Sequence, residues 1–393
     1  QRVFSTLSNG LQPEYNIIEV VFNRDEQNLF SQKANIISLD VPAGSNLLQK
    51  IIYFILRCVR LNQLKRKYRP SRCISHLEGA NFVNILSFGP GKKILTIHGS
   101  KSAFDTNRRG VVKFIENKIL TPLLYRFSNK IITVSFGIKE ELIKFFSIPD
   151  GLIQVIQNGV DVEDIRTKSK EIIEEILDPV FERRVIVFSG RLAVQKNPLS
   201  VIDIFCRTLS SEDFNLLIIG DGDLKERMLN KCAEHKIDYF DMSKHSAVHK
   251  SHRIFFLGQQ SNPFKYIRRA HLFIMTSHFE GFPLSLCEAL VCELPILATD
   301  CPTGVREVLA PATDFSKRVS EHAAEYVDHG VLMPVFSYDE TTEKEENLWA
   351  DTIIDILEYT DLNKKFRNKS KKRIQDFTLE RFLDQWRLLL KEI

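Results

Sequence analysis

Phe279-Glu280-Gly281-Phe282-Pro283-Leu284-Ser285-Leu286-Cys287-Glu288-Ala289-Leu290 decides how the rest of this chain is read. The apolar run before it, Leu272-Phe273-Ile274-Met275, has the length and composition of a buried strand. Pro283 stands where a helix begins, because its fixed φ and missing N–H suit a first turn. A strand therefore feeds a helix through a glycine turn. Gly281 is expected to adopt a backbone conformation closed to other residues, which leaves the first-turn amides facing outward beside the strand's carboxyl end. An anion fits there. Glu280 and Glu288 bracket these amides with seven residues between them, an arrangement suited to a phosphate joined to hydroxylated groups. On pattern alone, an ordinary strand–helix unit with two solvated glutamates is an equal reading.

Working outward, the 393 residues suit two domains of ordinary size. The seven cysteines, at 58, 73, 206, 232, 287, 292 and 301, show no paired spacing; they read as reduced thiols of a cytosolic protein. No signal peptide is visible, and no apolar run approaches the roughly 20 residues that span a bilayer. Residues 1–160 carry 22 Lys and Arg against 11 Asp and Glu, a balance of +11, whereas the rest carry 32 against 39, or −7. The basic half points to an anionic partner, either a membrane surface or a phosphorylated acceptor. No zinc-finger spacing or aromatic RNA-binding signature accompanies the charge, so nucleic acid is not expected.

Strands are expected at 16–22, 36–40, 73–77, 93–98, 131–135 and 153–157 in the first half. In the second they fall at 185–188, 216–219, 254–257, 272–275, 296–299 and 331–335. Helices separate most of them, beginning with 2–11 and 45–68. Such alternation argues for parallel sheets covered on both faces. Residues 339–346 read as an acidic solvated loop before two final helices, the last carrying the apolar stripe Phe382, Trp386 and Leu389.

Several short motifs sit at strand ends. Gly190-Arg191 with Lys196 follows the first strand of the second half, and two cations on a loop entering a helix make a reasonable diphosphate clamp; a solvated loop is the stronger reading without context. Gly220-Asp221-Gly222-Asp223 lacks the third glycine of a dinucleotide fingerprint, and as Asp-x-Asp is weak evidence for a divalent metal. His245, His249 and His252 would align on one helical face, but their serine- and lysine-rich surroundings favour a solvated segment over a zinc site. His98 ends a strand of the first half, where a structural and a ligand-binding histidine are equally good readings. Residues 45–72 contain eight Lys and Arg and no acid around Ile51-Ile52-Tyr53-Phe54-Ile55-Leu56. That is a basic helix with a broad apolar face, suited either to an anionic membrane or to packing against a sheet.

Ser277 to Leu284, Glu288-Ala289-Leu290, Leu294-Pro295-Ile296 and Asp300-Cys301-Pro302-Thr303-Gly304-Val305-Arg306-Glu307 together resemble the donor-site signature of glycosyltransferase family 4. The resemblance is strongest from Val185 to Leu309. It implies retaining enzymes of the GT-B fold, an α/β architecture of two Rossmann-like domains with parallel sheets facing a central cleft. The implied divisions are an acceptor-side domain at 1–160, a nucleotide-sugar-binding domain at 161–375, and a terminal helix at 376–393 that crosses back. Family members usually begin with a strand and a glycine-rich loop, whereas this chain opens with Gln1-Arg2-Val3-Phe4 and no initiator Met, so a natural start upstream is expected.

By the same resemblance, Gly190, Arg191 and Lys196 contact the donor's diphosphate together with Gly281, Phe282, Pro283 and Leu284. Leu257 and Gly258 meet the nucleobase through backbone groups, Glu288 binds ribose, Glu280 positions the donor sugar, and His98 lies on the acceptor side. The implied reaction moves a hexosyl or N-acetylhexosaminyl unit from a nucleoside-diphosphate sugar, UDP-linked, to a hydroxyl of a growing glycan. The basic first half and the 45–72 helix lean toward an acceptor on a polyprenyl diphosphate at the cytoplasmic face of a membrane, with a soluble acceptor as the alternative. No metal or other cofactor is required, and Gly220-Asp221-Gly222 reads as the family's strand-end turn. The alternatives are a GT-B nucleotide-sugar epimerase and a non-catalytic nucleotide-sugar-binding protein.

Overall fold

The computed structural model describes residues 2–23, 35–101, 116–209, 213–337 and 341–393. The chain divides into two compact units, one of residues 1–158 with 380–393 and one of residues 159–379.

In the first unit, β1 (Ile18–Val21) and β2 (Asn35–Ser38) form a parallel pair. β3 (Arg72–His76), β4 (Lys92–Ile97), β5 (Lys130–Thr133) and β6 (Ile153–Val155) form a separate four-stranded parallel sheet in that order. The single continuous sheet expected for this half is therefore two ladders. The last helix, Leu379–Glu392, packs on helix Arg2–Leu11: Phe382, Trp386 and Leu389 are buried, and Arg387 pairs with Glu14 at 2.6 Å. A Cβ on Gly10 would come within 2.5 Å of the Leu383 methyls, which shows how closely the two helices approach there.

The second helix, Leu47–Tyr68, inverts the usual arrangement. Its one buried residue is Lys65, whose ammonium donates to Asn84 Oδ1 at 2.7 Å and to the Asn84 carbonyl at 3.0 Å. Arg57 and Arg60 donate to carbonyls of residues 39–42 on the segment after β2. Cations thus hold the helix in place while Leu47, Leu48, Ile51, Ile52, Ile55, Leu56 and Val59 are exposed. Packing of the apolar face against the sheet, one of the two readings for this helix, is not what the structure has. Among the described residues no helix is long and apolar enough to cross a membrane.

The second unit is built on one eight-stranded sheet. Its strands are β7 (Arg184–Ser189), β8 (Phe214–Ile219), β9 (Tyr239–Asp241), β10 (Ile254–Gly258), β11 (Leu272–Met275), β12 (Ile296–Thr299), β13 (Glu325–Val327) and β14 (Gly330–Met333). The order is β13-β14-β12-β11-β7-β8-β10-β9, parallel except for the β13–β14 edge. β8, β11, β12 and β14 are buried throughout, as strands covered on both faces must be. The chain starts at β7, builds outward through β8 and β10, then returns to the other side of β7 with β11 and β12. The order reverses between β7 and β11, and ligands of open α/β sheets bind outside the strand carboxyl ends at such a reversal.

Two stretches differ from expectation. The supposed loop at 339–346 contains the start of helix Glu343–Glu358, which Thr342 and Glu345 open with a reciprocal capping box; Asp339 and Glu340 lie outside the described residues. Three helices rather than two close the chain: Glu343–Glu358, Thr360–Arg373 and Leu379–Glu392.

Candidate functional site

Lys196 follows β7 and Glu280 follows β11, so these residues, 84 apart in sequence, come from the two neighbouring strands at the reversal of the sheet. Lys196 Nζ lies 2.6 Å from Glu280 Oε1, and Ser277 donates its hydroxyl proton to the same oxygen at 2.6 Å. The Glu280 side chain is 6% exposed. A carboxylate that dry needs a cation and a hydrogen bond to remain charged, and it has both. Neither Glu280 Oε2 nor the remaining protons of Lys196 has a partner among the described residues, which leaves one acceptor and two donors for a ligand.

The surrounding loops are braced to one another. Gln195 donates its side-chain amide to the Phe279 carbonyl at 3.0 Å and accepts the His278 amide on its own carbonyl at 2.9 Å. Thr276 donates to the carbonyls of Lys196 and Asn197, and Thr303 to that of Glu280. Gly281 does not have the special backbone expected of it. That role falls to Gly304, at φ 77°, where a Cβ would stand 2.7 Å from the Gly281 carbonyl. Buried Phe282 turns its ring edge-on to Phe377, with centroids 5.4 Å apart, so only its backbone is available to a ligand. Pro283 caps helix Leu284–Val291 with no side-chain hydrogen bond, and Leu284 and Ser285 at its opening are half-buried. An uncapped helix start beside an ammonium is an electropositive corner. Glu288 lies one turn further along, buried beside Cys287, whose thiol burial and that carboxylate both push upward.

At the neighbouring strand ends, glycines let backbones meet. Gly190 donates its amide to the Ile219 carbonyl at 3.0 Å, and Gly220 donates to that of Gly258 at 2.8 Å. Gly220 has φ 138°, and a Cβ there would stand 1.9 Å from the Gly190 oxygen, so the Gly-Asp-Gly stretch is a packing turn. Asp221 accepts the Gly222 amide within that turn. Arg191 is exposed, and its guanidinium has no partner among the described residues. Leu257 is the extra residue of a bulge in the β10–β8 ladder, and Gln260 donates to its carbonyl at 2.6 Å. Tyr266 donates to Glu174 at 2.7 Å and reaches Gln260 at 3.4 Å. The bulge is therefore fixed from behind by a polar chain that sequence reading did not identify. His245 and His252 accept the amides of Asp241 and His249 on their Nδ1 atoms within an irregular segment.

In the first unit, His98 stands just beyond β4. Its Nε2 lies 3.0 Å from Nδ1 of His76, the last residue of β3, and Thr96 Oγ1 is 3.0 Å and 2.8 Å from these two nitrogens. Burial pushes His98 down to about 4 and His76 well below the usual histidine range, the neighbouring imidazole adding to the effect at His76. Folding therefore disfavours protonation of both. The unfolded chain binds more protons than the folded one as pH falls from the ordinary histidine value of 6.5 toward about 4, so stability declines with pH across that window. Denaturation followed against pH should show this decline, and His98→Asn should make it shallower by that residue's share.

Residues 169–373 match the family described as Glycosyl transferases group 1, and residues 1–164 match the Glycosyltransferase Family 4 domain. An uncharacterized glycosyltransferase of Methanocaldococcus jannaschii is 26% identical over 355 residues, covering 85% of this chain and 82% of that protein. The N-acetylgalactosamine-N,N'-diacetylbacillosaminyl-diphospho-undecaprenol 4-alpha-N-acetylgalactosaminyltransferase of Campylobacter jejuni is 28% identical over 66% of this chain and 60% of its own length. Among solved structures, Anabaena HepE in complex with UDP superposes with a TM-score of 0.71 at 15% identity, covering 100% of this chain and 95% of that one, a likeness of fold. The two-domain α/β architecture is thus GT-B, and the chain belongs to the Glycosyl transferases group 1 family, with a Family 4 amino-terminal domain: it is a glycosyltransferase.

Proposed function

We propose that this glycosyltransferase moves a hexosyl or N-acetylhexosaminyl unit from a UDP-sugar to a hydroxyl of a glycan carried on a lipid diphosphate, with retention of anomeric configuration. The observation that carries the reading is the Lys196–Glu280 pair at the reversal of the second unit's sheet, beside an uncapped helix start. In this reading, Lys196, Arg191 and the amides at Gly281–Leu284 neutralise the charge that grows on the departing diphosphate. Glu280 Oε2 accepts a hydroxyl of the transferred sugar, and Glu288 binds ribose. The bulge at Leu257 and Gly258, fixed by Gln260, meets the base. His98 serves the acceptor side. The departing phosphate oxygen takes the acceptor's proton, so no strong protein base is required, and the cations supply the charge that a metal supplies in other transferases.

UDP in the Anabaena neighbour supports the choice of donor, and the diphospho-undecaprenol in the Campylobacter relative's name supports the choice of acceptor. A lipid-linked acceptor requires the enzyme to reach a membrane surface. Helix Leu47–Tyr68 has the features for it: exposed aliphatics at 47, 48, 51, 52, 55 and 59, exposed cations at Lys50, Arg66, Lys67 and Arg69, and no acid. Its apolar face would enter the acyl boundary while the cations meet anionic headgroups, on the cytoplasmic side in this reading. Assembly of surface polysaccharides is the process such a reaction serves.

Thermal-shift titration with UDP, GDP, ADP and NAD tests the donor site. UDP at 100 times its dissociation constant should stabilise the fold by about 2.7 kcal/mol, and Lys196→Ala should lose that shift and most transfer from the matching UDP-sugar. No shift with UDP would overturn the donor assignment. For the membrane contact, the protein should sediment with phosphatidylglycerol vesicles and remain in solution with phosphatidylcholine vesicles, and Ile51→Glu with Ile55→Glu should abolish sedimentation. Wild-type protein left in solution with anionic vesicles would remove the membrane from the account.

A further inference from the structure

We infer that His76 and His98 form one neutral, proton-sharing unit in which the tautomer of each ring sets that of the other, and that this unit binds a carbohydrate hydroxyl. The inference rests on the reading of the first unit as the side that handles a hydroxylated ligand.

Proton counting carries the argument. The Thr96 hydroxyl has one proton and donates it to the Ser75 carbonyl at 2.8 Å, so toward the histidines Thr96 is an acceptor. His76 Nδ1 and His98 Nε2 face each other at 3.0 Å. Protons on both would put two hydrogens between two nitrogens, and none would leave two lone pairs opposed. One shared proton is the only satisfactory arrangement. Whichever ring carries it donates to the other ring and to Thr96 Oγ1, at 2.8 Å from His76 or 3.0 Å from His98. A neutral imidazole has a single N–H, so the two rings must be the same tautomer, both Nδ1–H when His76 holds the shared proton and both Nε2–H when His98 holds it.

The consequence lies at the outward nitrogens. His98 Nδ1 and His76 Nε2 have no hydrogen-bond partner among the described residues. If His76 holds the shared proton, His98 Nδ1 is a donor and His76 Nε2 an acceptor; if His98 holds it, the roles reverse. In either case the pair offers one donor and one acceptor. A sugar hydroxyl, which both donates and accepts, complements it in both states, whereas a phosphate, which only accepts, does not. Burial keeps both rings neutral, which preserves the sharing.

The local structure is built around these rings. β3 and β4 run parallel with His76 opposite Thr96, which brings the hydroxyl between the two imidazoles. Phe4 stands edge-on to His76 with centroids 5.2 Å apart, and the His76 and His98 rings meet edge to edge, with centroids also 5.2 Å apart and planes inclined by 28°. Leu77, directly after His76, has φ 73° and is 65% exposed. Side chains avoid that backbone region, and such strain concentrates at ligand sites.

Nitrogen-15 histidine NMR on the whole chain tests the pairing without recourse to activity. The expected spectrum at pH 7 shows His76 and His98 neutral and of the same tautomer, both Nδ1–H or both Nε2–H. Two imidazolium signals, or one ring protonated at Nδ1 and the other at Nε2, would overturn the proposal. His76→Phe should leave the UDP thermal shift unchanged, release His98 into a mixture of tautomers and slow turnover of the UDP-sugar at least tenfold. His76→Asn, whose amide can occupy the place of Nδ1, should recover most of the rate. Wild-type turnover in His76→Phe with the His98 tautomer unchanged would also overturn it. A wild-type enzyme that binds UDP but transfers nothing would instead refute the acceptor-side reading, and the spectrum would still decide the pairing.

Discussion

A buried carboxylate next to an ammonium is the constraint on which the second unit's loops depend. Glu280 is too far from water to stay charged alone, and Lys196 meets it only if the segments after β7 and β11 are held within a few ångströms of each other. Gln195, Thr276 and Thr303 provide that bracing through main-chain carbonyls. Removing one partner of such a pair strands the other's charge, typically at about 3–5 kcal/mol. The pair therefore orders the site while keeping Oε2 and two ammonium protons unspent. One interaction thus ties topology to chemistry: the reversal of strand order makes β7 and β11 neighbours, and their carboxyl ends supply the two charges.

The first unit solves a different problem. Its helix Leu47–Tyr68 buries a lysine and exposes aliphatics, the reverse of a helix that covers a sheet. Lys65 is tolerated inside because carbonyl and amide oxygens of Asn84 surround its ammonium, and Arg57 and Arg60 find carbonyls on the segment after β2. Attachment by cations frees the apolar face for another surface. The histidines at the ends of β3 and β4 are also held by neighbours, although with no net charge at all.

Much of this was legible in the sequence. Apolar runs at 185–188, 216–219, 254–257, 272–275 and 296–299 are strands because a sheet covered on both faces leaves no polar alternation. Tyr239–Asp241 and Glu325–Val327 were missed, being three-residue edge strands with no such signal. Glu343 to Glu346 read as a loop because acidic residues suit both solvated loops and the first turn of a helix, and only the Thr342 capping box separates the two. Lys196, Glu280 and His98 were each identified, but their partners were not. Ser277 lies three residues before Glu280, a spacing that could have signalled it; the pairing of Lys196 with Glu280 and of His76 with His98 comes from strand adjacency, which periodicity does not encode. The burden placed on Gly281 belongs to Gly304, because the tight approach is between two loops rather than within one turn.

Amide hydrogen exchange of the whole chain, with and without saturating UDP, tests the central claim most directly. The account predicts slower exchange at residues 190–197, 257–260 and 281–288, the three loops that meet at the strand carboxyl ends of the second unit. Unchanged exchange in all three, or protection confined to other elements, would contradict it.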